Sequence, residues 1–452
     1  MTERITPELI EAGRRGYELD RQHVFHSWSA QEKITPMTVI DAQGSWLWDG
    51  EGQRLLDLTC QLIYTNVGHR HPKVVEAIKE QADRLCTIAP QHANDARSEA
   101  ARLITELLPQ DINHVFFTNG GADANEHAVR MARLHTGRHK VLSAYRSYHG
   151  GRHMAINLTG DPRRIASDRA ADGVVHFLPP YTYRSYFGSA DEKQEAERAL
   201  GHLRDTLLLE GASSVAAIIL EAIPGTAGIY MPPPGYVEGV RQLCDEHGIV
   251  LIMDEVMAGF GRSGRWFAHE HFDVEPDIVT FAKGVNSGYV PLGGVAMDDE
   301  IYATFAQDPY PGGLTYSGHP LACAAAVATI RTMHEEGMVE YARRLGDQVI
   351  GPRLEELKDR HPSVGDVRGA GAFWAIELVK DKDTREPLAP YGQTAPVMGE
   401  IVAECRRQGV LPFMNMNRLH ICPPLNILEE DIVFGIEVID RALRIADESI
   451  AG

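Results

Sequence analysis

Short apolar runs alternate with amphipathic stretches through the middle of the chain. Apolar runs end near Thr118, Leu220, Met253 and Phe281, and stretches with apolar positions at helical spacing lie between them. Strands of a parallel sheet are covered by helices on both faces, so they are typically continuous apolar runs. The alternation from about residue 74 to about residue 300 therefore predicts an α/β protein with a mostly parallel sheet.

The segments outside this alternation have other patterns. Two apolar runs around the Asp-Gly-Glu-Gly turn at residues 49–52 predict a hairpin. Residues 161–186 show no regular period and are predicted to be irregular. From about Val339 onward, the pattern of helix, strands, helix, strand and final helix is typical of a separate α+β unit. Helices are also predicted over Thr6 to Leu19, from Pro72, over Ser98 to Leu108, up to His135, over Glu192 to Leu209, over Tyr236 to His247, and from Pro320.

A charged residue directly follows each of two apolar runs. Asp254 follows the run at residues 249–253, and Lys283 follows the run at residues 279–282. Ligands of parallel α/β sheets bind beyond the carboxyl ends of the strands, so both side chains are predicted to face one ligand. Pyridoxal phosphate requires this pair, because its aldehyde reacts with a lysine amine and its pyridine nitrogen is kept protonated by a carboxylate.

Composition excludes several classes of partner. The chain has 452 residues and a net charge of −19, which argues against nucleic acid and anionic membranes. No apolar run approaches the length of a membrane span, and the N-terminus lacks the apolar core of a signal peptide. The six cysteines are scattered without a C-x-x-C pair, as is typical of reduced thiols. We therefore expect a cytoplasmic enzyme of two domains.

A glycine turn supplies a candidate phosphate site. The strand at residues 115–118 runs into Asn119, Gly120, Gly121 and Ala122, and a helix follows. Glycines let backbone N–H groups approach a phosphate, and the helix dipole favours its negative charge. An ordinary tight turn would have the same sequence, and no G-K-[ST] follows, so the turn is not a P-loop.

Other motifs add an aromatic side chain and exclude a metal. Tyr148, between a strand and two glycines, could stack on a planar ring. His69 and His71 lack a third ligand nearby, so no metal site is predicted.

Six motifs in this order resemble the class III pyridoxal-phosphate aminotransferases over nearly the whole chain. The resemblance implies fold type I, with a large domain built on a mostly parallel, seven-stranded-type sheet between helices and a smaller α+β domain. It also implies a homodimer, or a dimer of dimers, with active sites at the subunit interface. The motifs are Asn66-x-Gly68-His69-x-His71-Pro72, Asn119 to Glu126, Tyr148-His149-Gly150, Asp254-Glu255-Val256-x-x-Gly259-x-Gly261-Arg262, Lys283-Gly284, and Thr315 to Pro320.

The resemblance also implies a role for each matching residue. Lys283 is expected to form the Schiff base and then to act as the acid and base of proton transfer, while Asp254 pairs with the pyridine nitrogen. Tyr148 and Val256 are expected on the two faces of the ring, and Glu221 as support. Backbone N–H groups of Gly120, Gly121 and Ala122 are expected to hold the phosphate, together with Thr315 of the partner subunit. The expected domains are an N-terminal segment, 1–72, that joins the small domain, a large cofactor-binding domain, 73–325, and a C-terminal small domain, 326–452.

Departures from the family pattern concern the substrate. Thr226 stands where many relatives have an acid, and the arginine expected about ten residues before Pro423-Pro424 is absent. Arg418 is the nearest cation, and a surface position is as plausible for it as a carboxylate site. Apolar residues are expected around the substrate, namely Trp28, Leu62, Ile63 and Phe413. With few fixed charges, the pocket is predicted to favour pyruvate over 2-oxoglutarate as acceptor.

The activity predicted from these residues is an ω-aminotransferase with a ping-pong mechanism. The donor would be an amine, a diamine or an ω-amino acid, and the acceptor a keto acid. A racemase, mutase or decarboxylase of the same fold would use the same Lys283 and remains an alternative. A nicotinamide dehydrogenase is disfavoured, because the nearest approach to G-x-G-x-x-G, at residues 369–374, lacks the third glycine.

Overall fold

The computed structural model describes residues 5–167 and 172–451. Residues 1–4 and 452, which the expected domain boundaries include, and residues 168–171, within the stretch predicted to be irregular, lie outside the described part. No helix in the described ranges is both long enough and apolar enough to cross a bilayer.

The strands, numbered in chain order, fall into three sheets. They are β1 Val39–Gln43, β2 Trp46–Asp49, β3 Arg54–Asp57, β4 His114–Thr118, β5 Lys140–Ala144, β6 Val174–Phe177, β7 Val215–Leu220, β8 Val250–Asp254, β9 Ile278–Phe281, β10 Gly293–Met297, β11 Val364–Ala370, β12 Phe373–Asp381, β13 Glu386–Pro387, β14 Val410–Leu411, β15 Phe413–Asn415 and β16 Arg418–Ile421.

Helices connect and cover these strands. They are α1 Pro7–His23, α2 Cys60–Ile63, α3 Pro72–Arg84, α4 Asp95–Thr105, α5 Gly121–Thr136, α6 His153–Leu158, α7 Glu192–Glu210, α8 Gly225–Gly228, α9 Tyr236–His247, α10 Asp299–Ala303, α11 Pro320–Glu335, α12 Met338–Leu345, α13 Gly351–Arg360, α14 Pro396–Arg407 and α15 Glu429–Ala451.

Local sequence explains several helix boundaries. The Thr6 hydroxyl accepts a hydrogen bond from the Leu9 N–H and Pro7 occupies the first turn, so α1 begins there. The Asp191 carboxylate caps α7 in the same way through the Gln194 N–H. Gly137, at a φ of 68°, ends α5 in the left-handed conformation that glycine adopts most easily. These helices agree with the predicted segments to within a few residues.

The largest sheet has seven strands in the order β4-β10-β9-β8-β7-β5-β6. The neighbours from β9 to β6 are parallel, whereas β10 runs antiparallel to both β4 and β9. Every residue of β7 and β8 is buried, which explains their continuous apolar sequences. The predicted α/β fold with a mostly parallel sheet is therefore confirmed.

Two smaller sheets combine distant parts of the chain. The strands β1, β2 and β3 form the predicted hairpin and its continuation, and β14 adds to β3 in parallel. The C-terminal sheet has the order β11-β12-β16-β15, with β13 paired to β12. The first of these sheets therefore ties the N-terminal segment to the C-terminal part.

Two strands of the large sheet differ from the sequence-based expectation. Residues 161–186 were predicted to be irregular, but Val174–Phe177 form the edge strand β6. Gly293–Met297 form β10 between β4 and β9, a strand that the sequence analysis did not predict. Gly294 is required there, because a Cβ at this position would lie 2.3 Å from the Phe281 ring. A glycine selected for packing in this way gives no strand signal in the sequence.

Candidate active site

The carboxyl ends of β8 and β9 bring Asp254 and Lys283 to one rim of the large sheet. Asp254 is the last residue of β8 and lies beside Thr280 of β9. Lys283 follows β9 by two residues and has a φ of 48°. A non-glycine residue in this left-handed region is strained, and such residues cluster at functional sites. The predicted juxtaposition of the acid and the amine is thus present in the fold.

The Asp254 carboxylate is held by hydrogen bonds from three directions. Its Oδ2 accepts from the Asn125 Nδ2 at 2.8 Å and pairs with the His149 Nδ1 at 2.7 Å. Its Oδ1 accepts from the Val256 N–H at 3.0 Å. Asp254 is only 3% exposed, and Oδ1 has a lone pair free for a further donor. The carboxylate is therefore fixed in orientation and able to accept one more proton donor.

Burial changes the chemistry of the Lys283 amine. Removal from water lowers the pKa of Lys283 from 10.5 to about 8, although the charges of Asp254 and Glu221 oppose this effect. A large fraction of the amine is consequently neutral near pH 8. A neutral amine is required both for attack on an aldehyde and for service as a base.

Two glycines, Gly120 and Gly121, stand where the turn enters α5. A Cβ on Gly121 would lie 2.7 Å from the Val256 side chain, so only glycine fits between this turn and Val256. A Cβ on Gly120 would meet nothing within 4 Å, so the backbone there is open. Since α5 has sixteen residues, its first N–H groups and its dipole favour an anion at this point.

Glu221 joins two segments of the site by backbone hydrogen bonds. Its Oε1 accepts from the Tyr148 N–H at 3.0 Å, and its Oε2 accepts from the Gly225 N–H at 2.9 Å. Burial raises the pKa of Glu221, and the Asp254 carboxylate adds to this effect. Glu221 therefore fixes the position of Tyr148 relative to the turn at residues 224–228.

A cavity of about 350 Å³ opens between these residues. Eight of the predicted site residues line it, and the further lining residues include Tyr64, Asn125, His149, Gly151 and Met257. The eight are Gly120, Gly121, Ala122, Tyr148, Glu221, Asp254, Val256 and Lys283.

Trp28 and Arg163 lie at the Tyr148 side of the cavity. The Arg163 Cζ lies 3.6 Å from the centre of the Tyr148 ring and 5.7 Å from the centre of the Trp28 ring. Asp161 binds the Nε and one terminal nitrogen of Arg163. The charge of Arg163 also contributes to lowering the pKa of Lys283. A cation therefore lies beside Tyr148 and Trp28, where the sequence suggested an apolar wall.

None of the expected substrate residues, Trp28 included, is among those that line this cavity. Leu62 is exposed, and Ile63 is 2% exposed and packs in the core beneath the sheet. Phe413, on β15, packs against the His420 ring at 5.3 Å. Thr315 is exposed on the loop before α11. Ile63 thus differs from the expectation, since it contributes to the core rather than to a pocket wall.

Arg418 is buried, in contrast to a surface strand residue. It is 5% exposed on β16, and its Nη2 lies 3.5 Å from the Thr226 carbonyl oxygen. Burial and the charge of Arg368 lower the pKa of Arg418 to about 10. Arg418 does not line the 350 Å³ cavity and lies on the far side of the Thr226 turn.

The residues around the cavity fit pyridoxal phosphate. The fit rests on the buried amine of Lys283, on the free acceptor site of the Asp254 carboxylate, and on the two glycines where the turn enters α5. Together these groups would meet the aldehyde, the pyridinium N–H and the phosphate.

For three residues near the cavity, the sequence predicted no role. Asn125 and His149 act on Asp254 from positions 129 and 105 residues away along the chain, and Arg163 lies in a segment without a regular period. His149 was noticed only as part of a motif. The signal that could have found Asn125 is its position one turn into the helix after the glycine turn.

Comparisons with known proteins agree with this geometry. The family model for class-III aminotransferases matches residues 28–443. The chain is 31% identical to a taurine–pyruvate aminotransferase of Bilophila wadsworthia, over 95% of this chain and 97% of that protein. It is 34% identical to a leucine/methionine racemase of Thermococcus litoralis, over 92% of this chain and 93% of that protein. A solved structure of taurine:2-oxoglutarate aminotransferase from Bifidobacterium kashiwanohense, in complex with PLP and glutamate, matches with a TM-score of 0.93 and 42% identity, over 97% of this chain and 99% of that one.

Proposed function

We propose a donor and an acceptor class for this chain, which belongs to the class III aminotransferase family. It is a PLP-dependent transaminase of fold type I. When bound, the cofactor supplies an aldehyde that takes up an amino group and a ring that withdraws electrons. The reaction moves an amino group between an amine and a keto acid.

Lys283 is proposed as the residue that carries the cofactor and moves the proton. Its Nζ is neutral in large part near pH 8 because burial lowers its pKa to about 8. Once released, the same Nζ would take the proton from the amine-bearing carbon of the donor. It would then deliver that proton to the carbon that was the cofactor's aldehyde carbon.

Asp254 is proposed to keep the pyridine nitrogen protonated. The hydrogen bonds from Asn125 and His149 occupy its Oδ2, so Oδ1 is available for the pyridinium N–H. Asn125 is itself held, because its Oδ1 accepts from the Thr280 hydroxyl at 2.7 Å. Asn125 and His149 would therefore act as positioning residues for Asp254.

The remaining cofactor contacts are proposed from the same geometry. Backbone N–H groups of Gly120, Gly121 and Ala122 would hold the phosphate. Tyr148 and Val256 would contact the two ring faces, and Glu221 would position Tyr148.

A partner subunit is proposed to complete the phosphate site. Thr315 lies on an exposed loop, where the Thr315 of a second chain in a homodimer, or in a dimer of dimers, could reach the phosphate.

The division into domains is also proposed. The expected segments are 1–72, 73–325 and 326–452. The strands of the large sheet fall between residues 114 and 297, and those of the C-terminal sheet fall between residues 364 and 421.

The proposed donor is a short ω-amino acid with an anionic end, either a sulfonate or a carboxylate. The observation that carries this proposal is Arg163, whose guanidinium lies 3.6 Å from the centre of the ring of Tyr148, a residue that lines the cavity. Asp161 engages Nε and one terminal nitrogen, so the other terminal nitrogen can bind an anion. A diamine such as putrescine would instead bring a second cation towards Arg163. The taurine specificities in the names of two relatives support an anionic donor.

Pyruvate stays the predicted acceptor, and 2-oxoglutarate is a second candidate. The distal carboxylate of 2-oxoglutarate needs a second cation in the pocket. Arg163 supplies a cation of that kind, and the relative with 42% identity is named for 2-oxoglutarate. Because donor and acceptor use one pocket in turn, the group that binds the donor's anionic end would also bind this carboxylate.

A donor and acceptor panel tests the proposal. We expect kcat/KM for taurine and β-alanine to exceed that for putrescine, with either pyruvate or 2-oxoglutarate as acceptor. Arg163→Gln should lower kcat/KM for taurine by about tenfold or more, which corresponds to about 1.4 kcal/mol. Arg164→Gln is the matched control, since Arg164 lies over Tyr145, 5.6 Å from the ring centre. A preference for putrescine that Arg163→Gln leaves unchanged would overturn the donor class.

The racemase alternative is tested by omitting the acceptor. A transaminase without a keto acid converts about one equivalent of donor per active site and then stops. A racemase or decarboxylase turns over repeatedly under the same conditions. Sustained turnover of a single substrate would favour the alternative, which the 34% identity to a racemase keeps open.

A further inference from the structure

Four arginines gather where the C-terminal sheet meets the segments beside the active site. We call Arg146, Arg184, Arg368 and Arg418 the arginine cluster. Arg146 and Arg368 lie over the Tyr181 ring, at 4.7 and 5.9 Å from its centre. A Cβ on Gly228 would lie 2.7 Å from the Arg368 Nη2 and 2.9 Å from the Arg418 Cδ, so these two side chains pack on the same glycine.

Two acids balance only half of this charge. The Glu377 carboxylate accepts from the Arg368 Nη2 at 2.6 Å, from the Tyr181 hydroxyl and from Arg184. Asp366 accepts from the Arg368 Nη1 at 2.6 Å. Both acids are therefore engaged by Arg368 and Arg184, and neither is paired with Arg146 or Arg418.

Arg418 and Arg146 have few hydrogen-bond partners among the described residues. Arg418 is 5% exposed; its Nε has no partner, and its Nη2 has only the Thr226 oxygen at 3.5 Å and the Met416 sulfur at 3.7 Å. The buried Nε of Arg146 also lacks a partner there, and its guanidinium lies over three aromatic rings, those of Tyr181, Tyr186 and Tyr391. His420, two residues after Arg418 on β16, has both ring nitrogens buried without a partner.

The phenols near these two cations carry no compensating negative charge. Burial raises the pKa of Tyr391 to about 12 and also raises the pKa of Tyr230, so both phenols keep their protons. An unpaired buried charge is costly, and a pair of like charges adds repulsion. An anion between the two guanidinium groups would remove both penalties and accept hydrogen bonds from the phenols.

We propose that Arg146 and Arg418 form a binding site for a small anion, either a carboxylate or an inorganic oxyanion. An anion can reach the site past Tyr391, which is 46% exposed and lies 4.5 Å from the Arg146 Cζ. Arg146 is two residues before Tyr148, and Arg418 contacts the turn that follows Glu221, so the site adjoins the substrate cavity. A keto acid's carboxylate as occupant would rest on the proposed function, whereas an inorganic anion would not.

Anion-dependent stability of the holoenzyme tests the proposal first. Sodium sulfate and sodium malonate are titrated separately at constant ionic strength, and Tm is measured. Malonate carries carboxylates but no keto group, so it cannot be transaminated. We expect a saturable rise in Tm of about 2 °C or more with at least one of the two anions. The absence of a saturable rise with both would overturn the site.

Substitutions of the two arginines test whether the anion that raises Tm binds between them. Arg146→Gln and Arg418→Gln should each abolish the rise, whereas the control Arg407→Gln, an exposed arginine on α14, should keep it. If the rise persists in both site variants, the anion binds elsewhere and the proposal fails. If the variants do not fold, bromide soaked into crystals of the wild-type holoenzyme gives a second readout. We expect anomalous density between the two guanidinium groups, and its absence there would also overturn the site.

The comparison of sulfate with malonate shows which kind of anion the site binds. A rise with sulfate indicates a general oxyanion site. A rise with malonate alone, together with a higher KM for the keto acid but not for the donor in Arg418→Gln, indicates a subsite for the acceptor's carboxylate. Wild-type transaminase rates are measured in the same preparation, so a failure of the proposed function is seen separately from a failure of anion binding.

Discussion

Asp254 depends on two neighbours that come from different parts of the chain. Asn125 and His149 both contact its Oδ2, at 2.8 and 2.7 Å. The carboxylate is therefore held with Oδ1 towards the cavity, where the pyridine nitrogen of the cofactor is proposed to lie. The negative charge at this point stabilises the protonated ring, which is the form that withdraws electrons best.

Replacing this charge should lower turnover strongly. Asp254→Asn keeps a hydrogen-bonding group of the same size but removes the negative charge. We expect kcat to fall at least about a hundredfold, which corresponds to about 2.7 kcal/mol of transition-state stabilisation. Steady-state kinetics measure the effect, with Asp245→Asn, on the exposed side of α9, as the control. Turnover close to that of the wild type would mean that the carboxylate acts elsewhere.

The pKa of Lys283 makes a second, independent prediction about the apoprotein. The pKa is about 8 in the folded state against 10.5 for a free lysine, so the unfolded chain binds more protons between these values. Stability of the apoprotein should therefore rise with pH in this window.

A comparison with Lys283→Met isolates the contribution of the Lys283 amine to the pH dependence of stability. The unfolding free energy of wild-type apoprotein relative to the variant should increase by about 3 kcal/mol between pH 7 and pH 11. Urea unfolding at a series of pH values measures the difference. A difference that does not change with pH would show that the amine is not buried in the apoprotein.

The sequence predicts some of these residues and not others for a physical reason. Asp254 and Lys283 directly follow apolar runs, and the carboxyl ends of such strands meet at one rim. Asn125, His149 and Arg163 reach the site through tertiary contacts, which no local pattern specifies. The burial of Arg418 beside Arg368 depends on the pairing of β12 with both β11 and β16, which the sequence does not specify locally.

At the scale of elements, the contact between the glycine turn and Val256 joins two strand ends. Gly121 starts α5, and Val256 follows β8 by two residues. Their close approach lets the start of α5 and the Asp254 carboxylate face the same cavity. The spacing between the proposed phosphate and pyridine sites therefore depends on this contact.

A methyl group at the turn should disturb that spacing. In Gly121→Ala the new Cβ would lie 2.7 Å from Val256, so either the turn or Val256 must move. We expect the affinity for the cofactor to fall about tenfold, as measured by fluorescence titration of the apoprotein. Adding Val256→Ala should recover part of the loss. Gly120→Ala, whose Cβ meets nothing within 4 Å, should cause a smaller loss. Equal losses in both single variants would contradict the steric argument.

The elements that sequence reasoning missed are those defined by pairing rather than by composition. β6 is a short edge strand of four residues, Val174–Phe177, and β10 begins with two glycines. In contrast, β7 and β8 could be predicted because burial on both faces makes each a continuous apolar run.

At the scale of the whole molecule, a second subunit is proposed to complete the site. Within one chain, Lys283 lies at the cavity while Thr315 lies on an exposed loop. The α/β class with a mostly parallel sheet could be predicted from the alternation along the chain, whereas seven strands could be expected only from the family resemblance. The assembly could be expected only from the family resemblance, because a single sequence has no periodic signal for a subunit interface.

Mixed dimers test the shared site. Lys283→Ala subunits are mixed with Thr315→Asp subunits, whose added charge should repel the phosphate of the partner's site. Each variant should be inactive alone. After subunit exchange, half of the dimers are mixed and each has one intact site, so about a quarter of wild-type activity should return. If exchange is confirmed and no activity returns, the site is built within one chain.

The most direct test of the account is the identity of the lysine that carries the cofactor. Borohydride reduction of the yellow holoenzyme fixes the cofactor to its lysine, and peptide mapping by mass spectrometry identifies that residue. The account predicts one adduct per chain, on Lys283, and none in Lys283→Ala. An adduct on any other lysine would contradict the central claim that the amine at the end of β9 is the catalytic group.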